Sequence, residues 1–192
     1  LAELHALIEY LESILKSEEV LQGIIKEELI EVQSTVNTPR LTDIVDNYDD
    51  IDIEDMCYMV RVNVEAAFRM AYVAVKHFKS TGSGYLLSTS SVLGTKVRPT
   101  AGAYAGTKFA IEALTEALRL ELAKTNIGVS CVEPGLVQTD LHREWPVPPA
   151  QSLNIPRPLQ PEDIARVVRF ILEQPDHVRL PRILAVPSDQ EL

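Results

Sequence analysis

The feature that most restricts the fold is the succession "YLLSTSS", "AYAGTKFAIEALTEALRLELAKT" and "IGVSCVEPGLV" between residues 85 and 137. Two short apolar runs flank a long segment whose apolar residues recur at helical spacing, the pattern of strand, helix, strand. Parallel neighbours in a sheet need a crossover of about a dozen residues or more, usually a helix. "MVRVNVEAAFRMAYVAVKHFKS" reads as a further helix before this unit, ended by the glycines of "TGSG". After it come a proline-rich stretch, a helix from 161 to about 174 opened by "PED", and a last short strand in "RILAVPS". Strands alternating with long helices imply an α/β fold with a parallel sheet covered on both faces.

The first part of the chain has another character. "LAELHALIEYLESILKSEEVLQGIIKEELIEVQ" carries apolar residues at three- and four-residue steps on either side of Ser17. Ser17 followed by Glu18 and Glu19 is an N-cap with acids in the first turn, so the stretch reads as an α-helical hairpin. "STVNTPRLTDIVDNYDDIDIEDM" then reads as extended and solvated. Residues 1–60 hold fifteen Asp/Glu against three Lys/Arg, a balance of −12, whereas 61–192 hold thirteen against fifteen, a balance of +2. This asymmetry divides the chain into an acidic helical segment, 1–56, and an α/β part, 57–192.

Composition also narrows the function classes. An acidic first piece is repelled by phosphates, so no nucleic acid partner is expected. No apolar run approaches the ~18 residues of a membrane span, and no basic start precedes a short apolar block, so the expected place is the cytoplasm, without membrane contact. Cys57 and Cys131 fall in no CxxC spacing and the four histidines form no ligand pattern. Reduced thiols in or near the core are expected, and no metal.

The chemistry lies in "SVLGTKVRPTAGAYAGTKFA", residues 91–110. Tyr104 and Lys108 are four apart in a helical segment and share one of its faces. Ser91 comes thirteen residues earlier at a strand end, Asn63 lies early in the preceding helix, and "PGLVQT" at 134–139 follows the next strand. A Tyr–Lys pair alone is more often a surface pair; the ordered surroundings change the odds.

Together "VN" at 62–63, "STSSVLG" at 88–94, "YAGTK" at 104–108 and "EPGLVQT" at 133–139 resemble the C-terminal half of the short-chain dehydrogenase/reductase family, from about residue 57 to the end. The resemblance implies a partial Rossmann-like sheet and hydride transfer between NAD or NADP and a small-molecule alcohol or ketone. It makes Tyr104 the acid/base, Lys108 the cation that favours its phenolate and holds the ribose, Ser91 the donor to the substrate oxygen and Asn63 the support of a proton relay. It also assigns cofactor contacts to Tyr104, Lys108, Pro134, Gly135, Val137 and Thr139. Pro134 and Gly135 would let the backbone approach the nicotinamide, while Val137 and Thr139 would hold its carboxamide. Family members often dimerise through two long helices, here 59–79 and 103–124, and the variable "HREWPVPPAQSLNIPRP" would form the substrate lid.

One element of such a site is not in the sequence. A dinucleotide-binding sheet opens with a glycine-rich turn that lets backbone amides reach the pyrophosphate. Residues 1–81 contain a single glycine, Gly23, in a helical segment. The nicotinamide end of a site is legible and the adenine end is not. Residues 1–56 instead resemble the stretch of the bacterial DNA gyrase A subunit that closes its breakage-reunion domain, without the catalytic tyrosine or the DNA-contacting arginines. Three readings follow: a reductase impaired by the missing dinucleotide-binding half, a catalytically silent composite or pseudoenzyme, and a gyrase-like interaction fragment with an appended domain.

Overall fold

The computed structural model describes residues 51–139 and 147–191. The helical hairpin expected in the acidic segment, the extended stretch up to residue 50 and Trp145 of the lid segment lie outside the described residues.

Asp52 starts the first described helix, α1 (Ile53–Val60), its carboxylate accepting from the amides of Glu54 at 2.9 Å and Asp55 at 3.2 Å. Residues 53–56 are therefore helical, where the sequence reading had them extended; a cap followed by acids in the first turn outweighs their aspartate-rich composition. The division at 56/57 accordingly falls inside α1. A π-helical turn (Arg61–Ala66) leads without a break into α2 (Ala67–Thr81). Gly82, at φ 86°, ends α2 in the left-handed region and donates to the Phe78 carbonyl at 2.8 Å.

Strand β1 (Gly84–Thr89) follows, then a single 3-10 turn (Val92–Gly94), α3 (Gly102–Glu121), β2 (Ile127–Pro134), a short α4 (Pro149–Ser152), α5 (Pro161–Leu172) and β3 (Arg182–Ala185). Gln160 and Asp163 cap α5 reciprocally, with Pro161 at the first helical position. The strands run parallel in the order β1-β2-β3, with Leu86 opposite Val129 and Val132 opposite Ile183. Every residue of β2 is buried, as the middle strand of the three must be.

Alternation along β2 divides the core into two layers. Ile127 and Val129 face Ala71 and Val75 of α2 and Leu114 and Leu118 of α3. Val132 points the other way, against Ile164 and Ile171 of α5. Ser130, on that second face, would be an unpartnered hydroxyl among apolar groups, but it lies 2.7 Å from the Tyr85 hydroxyl and 2.7 Å from the Leu180 carbonyl. The result is an α/β sandwich with a parallel sheet between helices. No helix among the described residues is long and apolar enough to cross a membrane.

Candidate active site

The chain leaves the carboxyl ends of β1 and β2 in two loops, and α3 begins beside them; in open α/β sheets ligands bind at this edge. Lys108, on the first half of α3, reaches back to the end of β1, where its Nζ donates to the Thr89 carbonyl at 3.3 Å. The same ammonium stands 5.7 Å from the centre of the Tyr104 ring. The helical spacing thus does bring phenol and ammonium together, and a strand carbonyl fixes the lysine.

Ser91 lies two residues past Thr89 in extended backbone, φ −165° and ψ 162°, and its hydroxyl accepts from the Leu93 amide at 3.2 Å, capping the 3-10 turn. Its neighbour Ser90 is buried, donating its amide to the Val132 carbonyl at 2.8 Å and its hydroxyl to the Lys108 carbonyl at 3.4 Å. Ser90 thereby ties the serine loop to both β2 and α3.

Asn63 sits in the π-helical turn, a distortion frequent at functional sites. Its side chain donates to Thr107 Oγ1 at 3.3 Å, and that hydroxyl donates to the Tyr104 carbonyl at 2.7 Å. Thr107, at the middle of this link, is 2% exposed. Asn63 is therefore coupled to the tyrosine-bearing turn through Thr107, a residue the sequence reading passed over although it lies inside the quoted "YAGTK".

The loop after β2 is pinned at three amides. Gly135 N–H donates to the Ala185 carbonyl at 2.7 Å, Leu136 N–H to the side-chain oxygen of Gln190 at 2.9 Å, and Gln138 N–H to the Leu159 carbonyl at 2.8 Å. Val137 pairs with Leu159 in a single parallel bridge in which the bonds run through Leu136 and Gln138, so its own N–H and C=O point to the opposite side. No bond of this main-chain pair to another described residue is present. A carboxamide offers one acceptor and two donor hydrogens, the complement of an N–H and a C=O, so the residues at this end fit the nicotinamide amide. A side chain at Gly135 would run into Gln190 and Pro187. On that side the glycine makes room for the C-terminal turn.

A second polar cluster lies under α3. Glu112 and Glu133, both buried, share Arg182: its Nη2 is 3.2 Å from Glu112 and its Nε 2.7 Å from Glu133 Oε1. The second approach is off the hydrogen-bonding axis, leaving that buried oxygen without a directed donor. Burial first, then Glu112, pushes the Glu133 carboxyl above its usual range. Cys131 donates to Glu112 at 3.3 Å, and burial followed by the Glu112 charge pushes its thiol up to about 12. Cys131 is thus a core thiol as expected, whereas Cys57 is exposed, on the solvent side of α1.

A parallel sheet between helices, with a tyrosine, a lysine and a serine at its carboxyl edge, defines an α/β protein of the Rossmann-like class. The sequence profile of the short chain dehydrogenases matches residues 19–148, a span that includes most of the acidic segment. Dehydrogenase/reductase SDR family member 11 of Mus musculus is 36% identical over 143 residues, covering 69% of this chain and 55% of that protein. An uncharacterised oxidoreductase of Staphylococcus aureus strain USA300 is 30% identical over 138 residues, covering 72% and 57%. Among solved structures, the closed form of serine dehydrogenase complexed with NADP+ superposes with a TM-score of 0.71 at 20% identity, over 77% of this chain and 62% of that one. An alcohol dehydrogenase from the archaeon Thermococcus sibiricus, complexed with 5-hydroxy-NADP, gives 0.64 at 25% identity, over 77% and 60%. The chain belongs to the short chain dehydrogenase family, and it spans little more than half the length of these curated relatives.

Proposed function

We propose that this chain carries the catalytic half of an NAD(P)-dependent oxidoreductase that interconverts a small alcohol and its carbonyl compound. The observation that carries the reading is the Tyr104–Lys108–Thr89 arrangement beside a loop whose Val137 amide is turned away from its neighbours. A bound nicotinamide cofactor supplies or accepts the hydride; the protein's own task is the proton. The Tyr104 hydroxyl exchanges that proton with the substrate oxygen, and the Lys108 ammonium stands beside the tyrosine ring. Ser91 orients the substrate oxygen, and Asn63 steadies the tyrosine-bearing turn through Thr107. Pro134, Gly135, Val137 and Thr139 make up the loop against which the nicotinamide rests.

The sequence also supports a second reading, a catalytically silent composite or pseudoenzyme. Its support is the single glycine among residues 1–81, too few for a pyrophosphate cradle. In both readings the work is done in the cytoplasm. Self-association through the two long helices is supported by exposed Tyr72, Val73, Phe109 and Leu120. Calorimetry of the 192-residue chain with millimolar NADH and NADPH separates the two. Micromolar affinity establishes the enzyme; absence of heat with both nucleotides establishes the silent composite, and the missing cradle makes weak or absent binding the expected result.

A further inference from the structure

Gln190 lies 54 residues beyond the loop it touches, near the end of the described chain, and no motif singles it out. Three observations converge on it. Its side-chain oxygen accepts the Leu136 N–H at 2.9 Å. The absence of a side chain at Gly135 leaves the space in which its amide sits. Its own backbone is held by a turn, Gln190 N–H to the Pro187 carbonyl at 3.1 Å, which Arg157 braces through Ser188 at 3.2 Å and Asp189 at 3.5 Å. A glutamine on a braced turn is a fixed acceptor, because little of its freedom remains to be lost.

We infer that Gln190 is a positioning residue: it clamps the loop after β2 so that the Val137 N–H and C=O stay turned toward the nicotinamide site. Gly135 is glycine because Gln190 must pass it. The physical logic is that of a register pin. Four consecutive peptide planes are held, 134–135 by Ala185, 135–136 by Gln190 and the two on either side of Val137 by Leu159, so the Gln190 bond fixes the plane from which the Val137 bridge continues. Releasing the Gln190 bond frees the 135–136 plane and loosens the register in which the bridge holds Val137. The role in holding a nicotinamide rests on the function proposed above; the clamp itself does not.

The test compares the full chain with Gln190→Leu, which removes the acceptor at similar volume, Gln190→Glu, which retains an acceptor oxygen, and Gly135→Ala, which displaces the glutamine from the other side. Amide hydrogen exchange followed by NMR reads the clamp. Gln190→Leu and Gly135→Ala are expected to speed Leu136 exchange roughly five- to tenfold, the loss of one net hydrogen bond, with Gln190→Glu close to the unmodified chain. Exchange in the middle of β2, at Val129, stays constant, which a general loss of stability would not allow. In the same spectra, where millimolar NADH shifts the Val137 amide of the unmodified chain, it should do so equally in Gln190→Glu and at least threefold less in Gln190→Leu. An unchanged Leu136 rate in Gln190→Leu, or a Val137 response as large as in the unmodified chain, overturns the proposal. If NADH moves no amide in the unmodified chain, the proposed function fails, and the exchange rates alone decide the clamp.

Discussion

Replacing Arg182 by methionine takes away the cation that Glu112 and Glu133 share. Both carboxylates are buried, Glu133 at 2% exposure, while Arg182 is 49% exposed. Breaking a buried ion pair by deleting one partner costs about 3–5 kcal/mol. The half-exposed guanidinium is already screened by water, which reduces the expected loss at pH 7 to about 2 kcal/mol. For a chain of this size that lowers Tm by roughly 4–8 °C. The pH dependence carries the sharper test. Glu133 already has its folded pKa raised above the ordinary 4.5. A carboxyl raised in this way binds its proton more tightly folded than unfolded, so its cost is absent below the unfolded value and grows as pH rises through the folded one. Losing Arg182 raises it further, so the penalty of Arg182→Met should shrink steadily as pH falls from 7 toward 4.5. Urea denaturation at several pH values measures this, and Glu133→Gln in the Arg182→Met background should recover part of the loss at pH 7. A penalty equal at pH 7 and pH 5, or below about 0.5 kcal/mol at pH 7, would refute the reasoning.

Two further outcomes are expected. With the Cys131 thiol pushed up to about 12 and buried, and Cys57 exposed, an alkylating reagent at pH 8 should label one thiol per native chain and two after denaturation, as mass spectrometry can count; two in the native chain would show the core open. Gly82→Ala meets no atom within 4 Å yet must hold φ 86°, so it should cost about 1 kcal/mol from backbone strain alone, read as a shift of the urea midpoint, and a neutral result would mean that α2 ends differently.

The sequence by itself determined what depends on neighbours along the chain. Apolar periodicity marked β1, α3, β2 and α5 within a few residues, and glycine marked the end of α2. A spacing of four set Tyr104 and Lys108 on one face, because helical geometry fixes that relation wherever the helix lies. The start of α1 was missed because the Asp52 cap competes with a local composition typical of loops, and the π-helical turn around Asn63 has no periodicity of its own. Tertiary structure alone decided the rest. The strand order, the hold of Thr89 on Lys108, the link from Asn63 to Thr107 across 44 residues and the reach of Gln190 to Leu136 across 54 all depend on how parallel strands fall into register. Register comes from the joint packing of both faces of the sheet, and no short stretch contains it.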